Sequence, residues 1–314
     1  MNTDLYGREL PPLFDDFVKL DTLDELFQRS RDYRGSQQYL NTLRFIRKFT
    51  QYSPYNTFLI RMQRPEATYV ATAAKWKREH RRMVLPEARP LVLLVPFGPV
   101  HFVYDLADTA GDDSRIPEQA LHPFAVGGRL APHVWDNTLA HAEQEGILVE
   151  QQPMEPLKAG YVRRTEAHEK GRFVVMLNST QPLEERYATL IHELAHVLCG
   201  HLGKAPNEKN WDERSRLPLA EREIEAESVL YLVTGRQGVY AKSEEYLANF
   251  IGKFGDMIPP ISFTTVLTVS GDLERWGQSA LKKTGKGAQA GTDSMQQLFA
   301  RQFWAPTDSE PDDT

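Results

Sequence analysis

Apolar and polar residues alternate with a helical period in several stretches of the chain. The first clear stretch predicts a helix over 37–50, and its apolar positions are Leu40, Leu43, Phe45, Ile46 and Phe49. A second helix is predicted over 56–64, and it ends there because Pro65 cannot continue a helix. Apolar patterns further along the chain predict helices over 183–202 and 219–233.

Short apolar runs bounded by turn residues predict strands. Two of these runs, 91–95 and 100–106, lie on either side of the turn residues 96–99 and predict a strand pair. Residues 172–177 predict another strand. The stretch 107–132 is rich in Gly, Pro and Asp, which favours a boundary between two domains.

The two ends of the chain have patterns of their own. Residues 1–28 combine apolar and acidic positions, and they predict an amphipathic arm that docks on the core. After Val269 the chain is rich in Gly, Lys and Ser and ends in an acidic segment, which predicts a mobile tail over 270–314. We therefore divide the chain into this arm, a domain over 29–110, a linker over 111–132, a domain over 133–269 and the tail.

Composition limits the kinds of protein and site that the chain can form. Of its 314 residues 41% are apolar, and they include no apolar run near the roughly 18 residues of a membrane span. Residues 1–8 are polar and do not resemble a signal peptide, so we expect a cytoplasmic protein that does not enter a membrane. Because Cys199 is the only cysteine, a metal site would have to use histidine and carboxylate side chains.

Charge is distributed unevenly along the chain. Residues 29–89 contain 14 Lys and Arg against 4 Asp and Glu, although the whole chain has a net charge of −6. Aromatic residues lie between these cations, a combination typical of proteins that bind nucleic acid through phosphate contacts and base stacking. A basic surface that simply faces solvent explains this charge equally well.

The helix predicted over 183–202 contains the HExxH pattern, from His192 to His196. Residues at i and i+4 share one helical face, so both imidazoles can reach one metal ion, and Glu193 flanks that face as a general base. The alternative is a helix with two incidental histidines. Its apolar neighbours favour a buried helix, however, and buried His and Glu side chains need partners.

A third ligand has to come from elsewhere in the chain. The spacing of the metzincin zinc enzymes would need Gly at 199 and His at 202, where this chain has Cys199 and Leu202. We therefore interpret His201 as a residue at the helix end or outside the ligand shell, and Cys199 as a small core residue.

Three glutamates of the helix predicted over 219–233 are the better candidates for this ligand. Glu223 and Glu227 share a helical face, whereas Glu225 points elsewhere. We favour Glu223 as the ligand and Glu227 as the acceptor of the outer N–H of a ligand histidine, with Glu225 or Glu227 as the fallback ligand. The alternative is a solvated acidic stripe, which the many apolar residues of this helix disfavour.

Several of these features occur together within residues 172–233. They are the strand over 172–177 with Asn178, the HExxH helix, and residues 222–228, which read Arg-Glu-Ile-Glu-Ala-Glu-Ser. In this arrangement the segment resembles the ImmA/IrrE family of zinc metallopeptidases, whose second helix bears a Glu four residues before an Asn, Asp or Glu. The resemblance implies one zinc ion per chain, or another divalent cation, with Glu223 as its third ligand and Glu227 as the follower.

A second resemblance lies in the basic segment. It is carried by Phe49, Tyr52, Ser53, Asn56, Leu59, Ile60, Gln63, Arg64, Pro65, Ala67, Thr68, Tyr69, Val70 and Trp76. These residues are similar to the N-terminal domain of ArdC-type antirestriction proteins, which binds single-stranded DNA, although residues 80–88 replace the Gly- and Lys-rich loop usual in that family. The resemblance implies DNA contacts at Tyr52, Asn56 and Trp76 and at the cations near them, which are Arg44, Arg47, Lys48, Lys75, Lys77 and Arg78.

These observations together predict an α+β fold, with a small mixed N-terminal domain and a zincin-like domain in which a short sheet lies beside two metal-binding helices. The expected reaction is hydrolysis of a peptide bond in a protein or peptide substrate, with Glu193 as general base. The strand over 172–177 is expected to offer the edge for an extended substrate. The alternative is an antirestriction or regulatory protein that binds single-stranded DNA and uses the metal only to hold its fold. The oligomeric state stays open.

Overall fold

A computed structural model describes Asp24, Phe27 and residues 31–95, 100–116, 129–165, 173–203, 213–239 and 243–281 of the protein. Its helices are α1 (Arg31–Arg34), α2 (Ser36–Lys48), α3 (Pro54–Gln63), α4 (Ala73–His80), α5 (Pro132–Gln144), α6 (Leu183–Leu198), α7 (Leu219–Arg236), α8 (Ser243–Gly252) and α9 (Phe263–Gln278). Two single-turn 3₁₀ helices cover Leu106–Asp108 and Asp113–Arg115. Within these ranges, no helix combines the length and the apolar composition that crossing a membrane requires.

The strands form three small sheets. They are β1 (Val70–Ala71), β2 (Arg82–Val84), β3 (Leu91–Leu93), β4 (His101–Asp105), β5 (Thr109–Gly111), β6 (Ile147–Gln152), β7 (Gly160–Arg164) and β8 (Phe173–Asn178). β4 lies between β1 and β3 and is antiparallel to both, and β2 pairs antiparallel with β5. In the third sheet β8 lies in the centre, parallel to β6 and antiparallel to β7. This mixture of helices and small sheets is consistent with the predicted α+β class.

The four helices predicted from the apolar pattern are present as α2, α3, α6 and α7, and the predicted strand pair is present as β3 and β4. α3 begins two residues earlier than predicted, because Ser53 caps it by accepting a hydrogen bond from the backbone N–H of Asn56. α6 ends at Leu198, and the chain then turns at Gly200, whose φ of 77° suits glycine. After this turn the side chain of His201 lies beside His196 of α6.

The strand predicted over 172–177 does not provide an edge for a substrate. It is β8, which has a hydrogen-bonded neighbour on both sides, and all six of its residues are buried. A strand in the centre of a sheet has no unpaired backbone groups to offer to a peptide. In the described part of the chain, β7 is an outer strand of this sheet. It also packs next to α6.

The first part of the tail predicted over 270–314 is helical, contrary to the prediction. Residues 270–278 continue α9, in which Leu273 and Glu274 are buried. Residues 282–314 lie outside the described residues, as does most of the predicted arm. Of that arm Asp24 accepts hydrogen bonds from Ser262 and Thr264 at the start of α9, and Phe27 stacks on Phe263.

The largest buried apolar cluster joins the N-terminal helices to the helices of the C-terminal half. Tyr39 of α2 and Phe58 of α3 both contact Phe263 of α9, and the same cluster continues through α6 and α7. A smaller cluster lies between α2, α3 and the β1–β4–β3 sheet. The domain boundaries remain a prediction, since most of the predicted linker lies outside the described residues.

Arg236 at the end of α7 makes a second connection to the N-terminal helices. Its Nε donates to Glu274 of α9 at 3.0 Å, and its Nη1 donates to the carbonyl oxygens of Ile46 and Phe49 at 2.8 and 2.7 Å. Its Nη2 donates to the carbonyl oxygen of Tyr52. These carbonyls belong to the last turn of α2 and to the residues after it, where helical hydrogen bonds run out. Arg236 and Glu274 are almost completely buried, so water cannot replace these contacts.

Trp76 of α4 forms the centre of a third cluster with Tyr69 and Ala71. Its side chain is fully buried, its ring packs edge-on against Tyr69, and its indole N–H donates to the carbonyl oxygen of Tyr104 at 2.9 Å. The tryptophan therefore attaches α4 to the small sheet, with no ring face left for a nucleic acid base.

We expect Arg236→Ala to lower the free energy of unfolding by about 3–5 kcal/mol, because Glu274 would be left buried without its counter-charge. Urea denaturation of the full chain measures this change. Arg89→Ala is the matched control, since Arg89 is exposed and should change stability by no more than about 0.5 kcal/mol. Equal stabilities of the two variants would show that Arg236 does not join the two halves.

We expect Trp76→Ala to destabilise the protein by about 3–5 kcal/mol, the usual result of emptying a large buried site. The comparison is with the exposed neighbour Lys77→Ala in the same denaturation experiment. A Trp76→Ala protein of unchanged stability and reduced affinity for single-stranded DNA would instead support the stacking role implied by the resemblance.

Candidate metal centre

Helices α6 and α7 pack against each other and bring three candidate ligands together. His192 and His196 lie one turn apart on α6, with their Nε2 atoms 3.2 Å from each other. Glu223 of α7 lies opposite, with carboxylate oxygens 3.8 Å from His192 Nε2 and 3.6 Å from His196 Nε2. Glu223, the candidate that the sequence favoured as third ligand, therefore lies beside both histidines.

The donor set fits a divalent cation such as zinc. All three ligand atoms lie within 4.8 Å of one another. Zinc bound at about 2.0–2.1 Å by tetrahedral ligands separates them by about 3.3 Å, close to the distances between these atoms. Two imidazole nitrogens and one carboxylate also form the ligand set of many catalytic zinc sites, which keep a further position for water or substrate.

Both candidate histidines have a polar partner at the outer ring nitrogen. His192 Nδ1 lies 3.1 Å from a carboxylate oxygen of Glu227, the partner that the helical spacing predicted. His196 Nδ1 lies 3.0 Å from Nδ1 of His201. With these partners at Nδ1, both Nε2 atoms face the space between the two helices, where a metal ion would bind.

Glu225 lies apart from the ligands, although the sequence left it open as a fallback. Its carboxylate is fully buried and accepts hydrogen bonds from Arg214 at 2.6 and 2.5 Å and from the backbone N–H of Ser262 at 2.8 Å. His201 Nε2 lies 2.9 Å from the same carboxylate. Burial tends to raise the pKa of Glu225, but the hydrogen bonds from His201 and Arg214 outweigh burial and lower it.

Cys199, His201 and Glu225 form a second group of candidate ligands that lie close together. The guanidinium of Arg214 already occupies both oxygens of Glu225, so a cation at this group would meet a positive charge. Burial raises the pKa of the Cys199 thiol, which keeps it protonated and a poor ligand. Cys199 is therefore a buried core residue, as its sequence context predicts.

The surroundings of the centre lower the pKa of His196 and raise the pKa of the neighbouring Glu193. Burial, together with the neighbouring His192, His201 and Arg222, lowers the pKa of His196 to about 2, so its imidazole is neutral. Burial raises the pKa of Glu193, an effect that His192 opposes and the carboxylate of Glu223 reinforces. The Glu193 carboxylate also accepts a hydrogen bond from the backbone of Val162 in β7, which directs it toward the edge of the sheet.

The residues implied in DNA binding are dispersed in the structure. Asn56 is fully buried, where its amide donates to and accepts from the backbone of Leu94, and the hydroxyl of Tyr52 donates to the carbonyl oxygen of Val70. Together with the buried Trp76, these three side chains are used inside the fold.

The implied cations also differ in their surroundings. Arg47 lies over the ring of Tyr231 in α7, and Lys48 approaches the carbonyl oxygen of Ala67. Arg44 donates to Asn41 in its own helix, and Lys75 lies 3.9 Å from the carboxylate of Glu79. Lys77 and Arg78 are exposed on α4, although Arg78 also pairs with Glu79. Contact with single-stranded DNA stays a prediction, and among the implied cations Lys77 and Arg78 are the exposed ones.

Sequence reasoning did not find three contributors to the site, which are Arg214, Ser262 and Val162. Arg214 reaches Glu225 from the segment before α7 and Ser262 reaches it from the N-cap of α9, whereas Val162 reaches Glu193 from the strand next to α6. No spacing rule relates these positions to the HExxH helix. The Gly200-His201 pair directly after α6 was the one local signal, because a glycine turn folds the next residue back onto the helix.

Comparison with known families agrees with this centre. Residues 142–231 match the family model of the IrrE N-terminal-like domain, a peptidase family, and the match includes both histidines and all three glutamates of α7 discussed above. Searches of curated proteins and of solved structures returned no match. The family match does not extend to the basic N-terminal segment, whose resemblance to ArdC-type proteins stays a prediction. The segment that carries the candidate metal centre is thus similar to the IrrE N-terminal-like domain, which indicates a metallopeptidase-type function.

Proposed function

We propose that the protein is a zinc-dependent metallopeptidase whose centre is formed by His192, His196 and Glu223, with Glu193 as general base. One observation carries the proposal. The two Nε2 atoms and the Glu223 carboxylate converge at the border of a sheet, with the half-buried carboxylate of Glu193 beside them. The match to the IrrE N-terminal-like domain supports the same reaction class.

The proposed roles follow from the chemistry of each group. A bound divalent cation polarises a peptide carbonyl and makes water more acidic. Glu193 accepts the proton of the attacking water at its carboxylate and then delivers it to the leaving amine. The raised pKa of Glu193 suits both steps, because a carboxylate with a higher pKa is the stronger base.

We infer that an extended substrate lies along β7 rather than along β8. β7 pairs with β8 on one side, and Val162 of β7 contacts Glu193 through its backbone. A peptide added beside this strand would therefore pass the metal centre, whereas β8 has no open side.

The alternative is a protein that binds single-stranded DNA and uses the metal only to stabilise its fold. A structural metal site has closed coordination and needs no adjacent base. Here a carboxylate with a raised pKa lies next to the ligands, which favours the enzyme. The two predictions below separate these functions.

We expect the purified protein to bind about one zinc ion per chain, and His192→Ala or His196→Ala to lose it, because each variant removes one of three ligands. Metal analysis by mass spectrometry after zinc supplementation at neutral pH measures the content. Circular dichroism shows whether each variant remains folded. Wild-type protein without bound divalent metal would refute the proposed function.

We expect Glu193→Gln to keep its metal and its fold and to lose peptide hydrolysis by about 10²–10⁴-fold, because an amide cannot accept the proton. Mass spectrometry of a peptide library incubated with each protein measures cleavage. Glu185→Gln is the matched control, since Glu185 is an exposed residue in the first turn of the same helix. If wild-type and Glu193→Gln protein bind zinc equally and neither cleaves any peptide, the structural-metal alternative gains support.

A further inference from the structure

The two ligand histidines are held in different ways. A carboxylate oxygen of Glu227 lies 3.1 Å from His192 Nδ1, whereas His196 Nδ1 lies 3.0 Å from another imidazole, that of His201. Two imidazole nitrogens at this distance share one proton, which one nitrogen donates and the other accepts. The location of that proton decides whether His196 Nε2 has a free lone pair for a metal ion.

The other neighbours of His201 determine the direction of this hydrogen bond. His201 Nε2 lies 2.9 Å from Glu225, whose oxygens already accept hydrogen bonds from Arg214 and from the N–H of Ser262. Both oxygens of Glu225 thus serve as hydrogen-bond acceptors, so His201 donates to this carboxylate from Nε2. A neutral imidazole with its proton on Nε2 offers Nδ1 as an acceptor. His196 therefore donates from Nδ1 and keeps its Nε2 lone pair free.

We propose that His201 and Glu225 are positioning residues that set the tautomer and the ring orientation of His196 for metal binding. The inference rests on the proposed metal centre and adds a chain of contacts to it, from His196 through His201 to Glu225. Water cannot substitute for this chain, since His201 is 2% exposed and Glu225 is fully buried.

Packing alone does not account for this arrangement. A buried histidine next to a buried glutamate and an arginine is costly, and apolar side chains of similar volume would fill the same space with equal or greater stability. The hydrogen bonds from His196 through His201 to Glu225 are explained if they orient the His196 ring. Partners at the outer nitrogen of metal-binding histidines generally have this role.

The test compares two variants of similar size, His201→Asn and His201→Leu. The amide oxygen of Asn lies near the position of the histidine Nδ1 and can accept from His196, whereas Leu offers no acceptor. Competition with a chromophoric chelator measures zinc affinity of the full chain, and the visible absorption of the cobalt-substituted protein reports the ligand geometry. We expect His201→Leu to weaken zinc affinity about 10–100-fold and His201→Asn to weaken it clearly less.

His141→Leu is the matched control, because His141 contacts Ser279 and Trp276 instead of the metal centre and should bind zinc like the wild type. If His201 only fills space, the apolar Leu variant would bind zinc as well as or better than the Asn variant. That order, or equal affinity of both variants and the wild type, would overturn the inference and leave the metallopeptidase proposal intact. Wild-type protein that binds no zinc would refute both.

A second measurement uses the wild-type protein, so it does not depend on whether a variant folds. Long-range ¹H–¹⁵N correlation spectra of the zinc-loaded wild type, labelled with ¹⁵N-histidine, distinguish the two tautomers of each neutral imidazole. We expect the proton on Nδ1 of His196 and on Nε2 of His201. A His201 ring protonated on Nδ1 would contradict the proposed direction of the hydrogen bond.

Discussion

Helix α7 is surrounded by protein from Ile224 to Thr234, because α2, α6, α8 and α9 pack around it. A polar side chain on such a helix cannot turn into water, so each one needs a partner within the fold. Among the buried carboxylates, Glu227 meets His192 of α6 and Glu225 meets Arg214. Glu223, at the partly exposed start of the same helix, lies beside both histidines. The burial of this helix therefore fixes the carboxylates around the candidate metal centre.

The same helix also ties the two halves of the chain together. Arg236, at its C-terminal end, pairs with Glu274 and donates to carbonyl groups at and just after the end of α2. Buried charges of this kind add little net stability compared with apolar packing, but removing one partner leaves a charge that nothing compensates. The contacts of Arg236 fix the C-terminal end of α7 against α9 and against the end of α2.

Burial also changes how the charge of the N-terminal segment should be interpreted. Arg82 is buried and donates to Thr109 and Asp113, and Arg64 pairs with Asp108. Some of the positively charged side chains in this segment are thus paired with other residues of the protein. A cation count along the sequence overstates the basic surface that a nucleic acid would meet, because it does not distinguish paired from exposed guanidinium groups.

The sequence by itself determined the features that depend on local spacing. A period of 3.6 residues places His192 and His196 on one face of a helix and Glu223 and Glu227 on one face of another, so both helices and the residues that face each other across them could be predicted. The interior position of β8, the burial of Trp76 and the chain from His196 through His201 to Glu225 were decided by tertiary structure. Each of these depends on which elements lie side by side, and packing between residues far apart in the chain sets that arrangement, which no local pattern records.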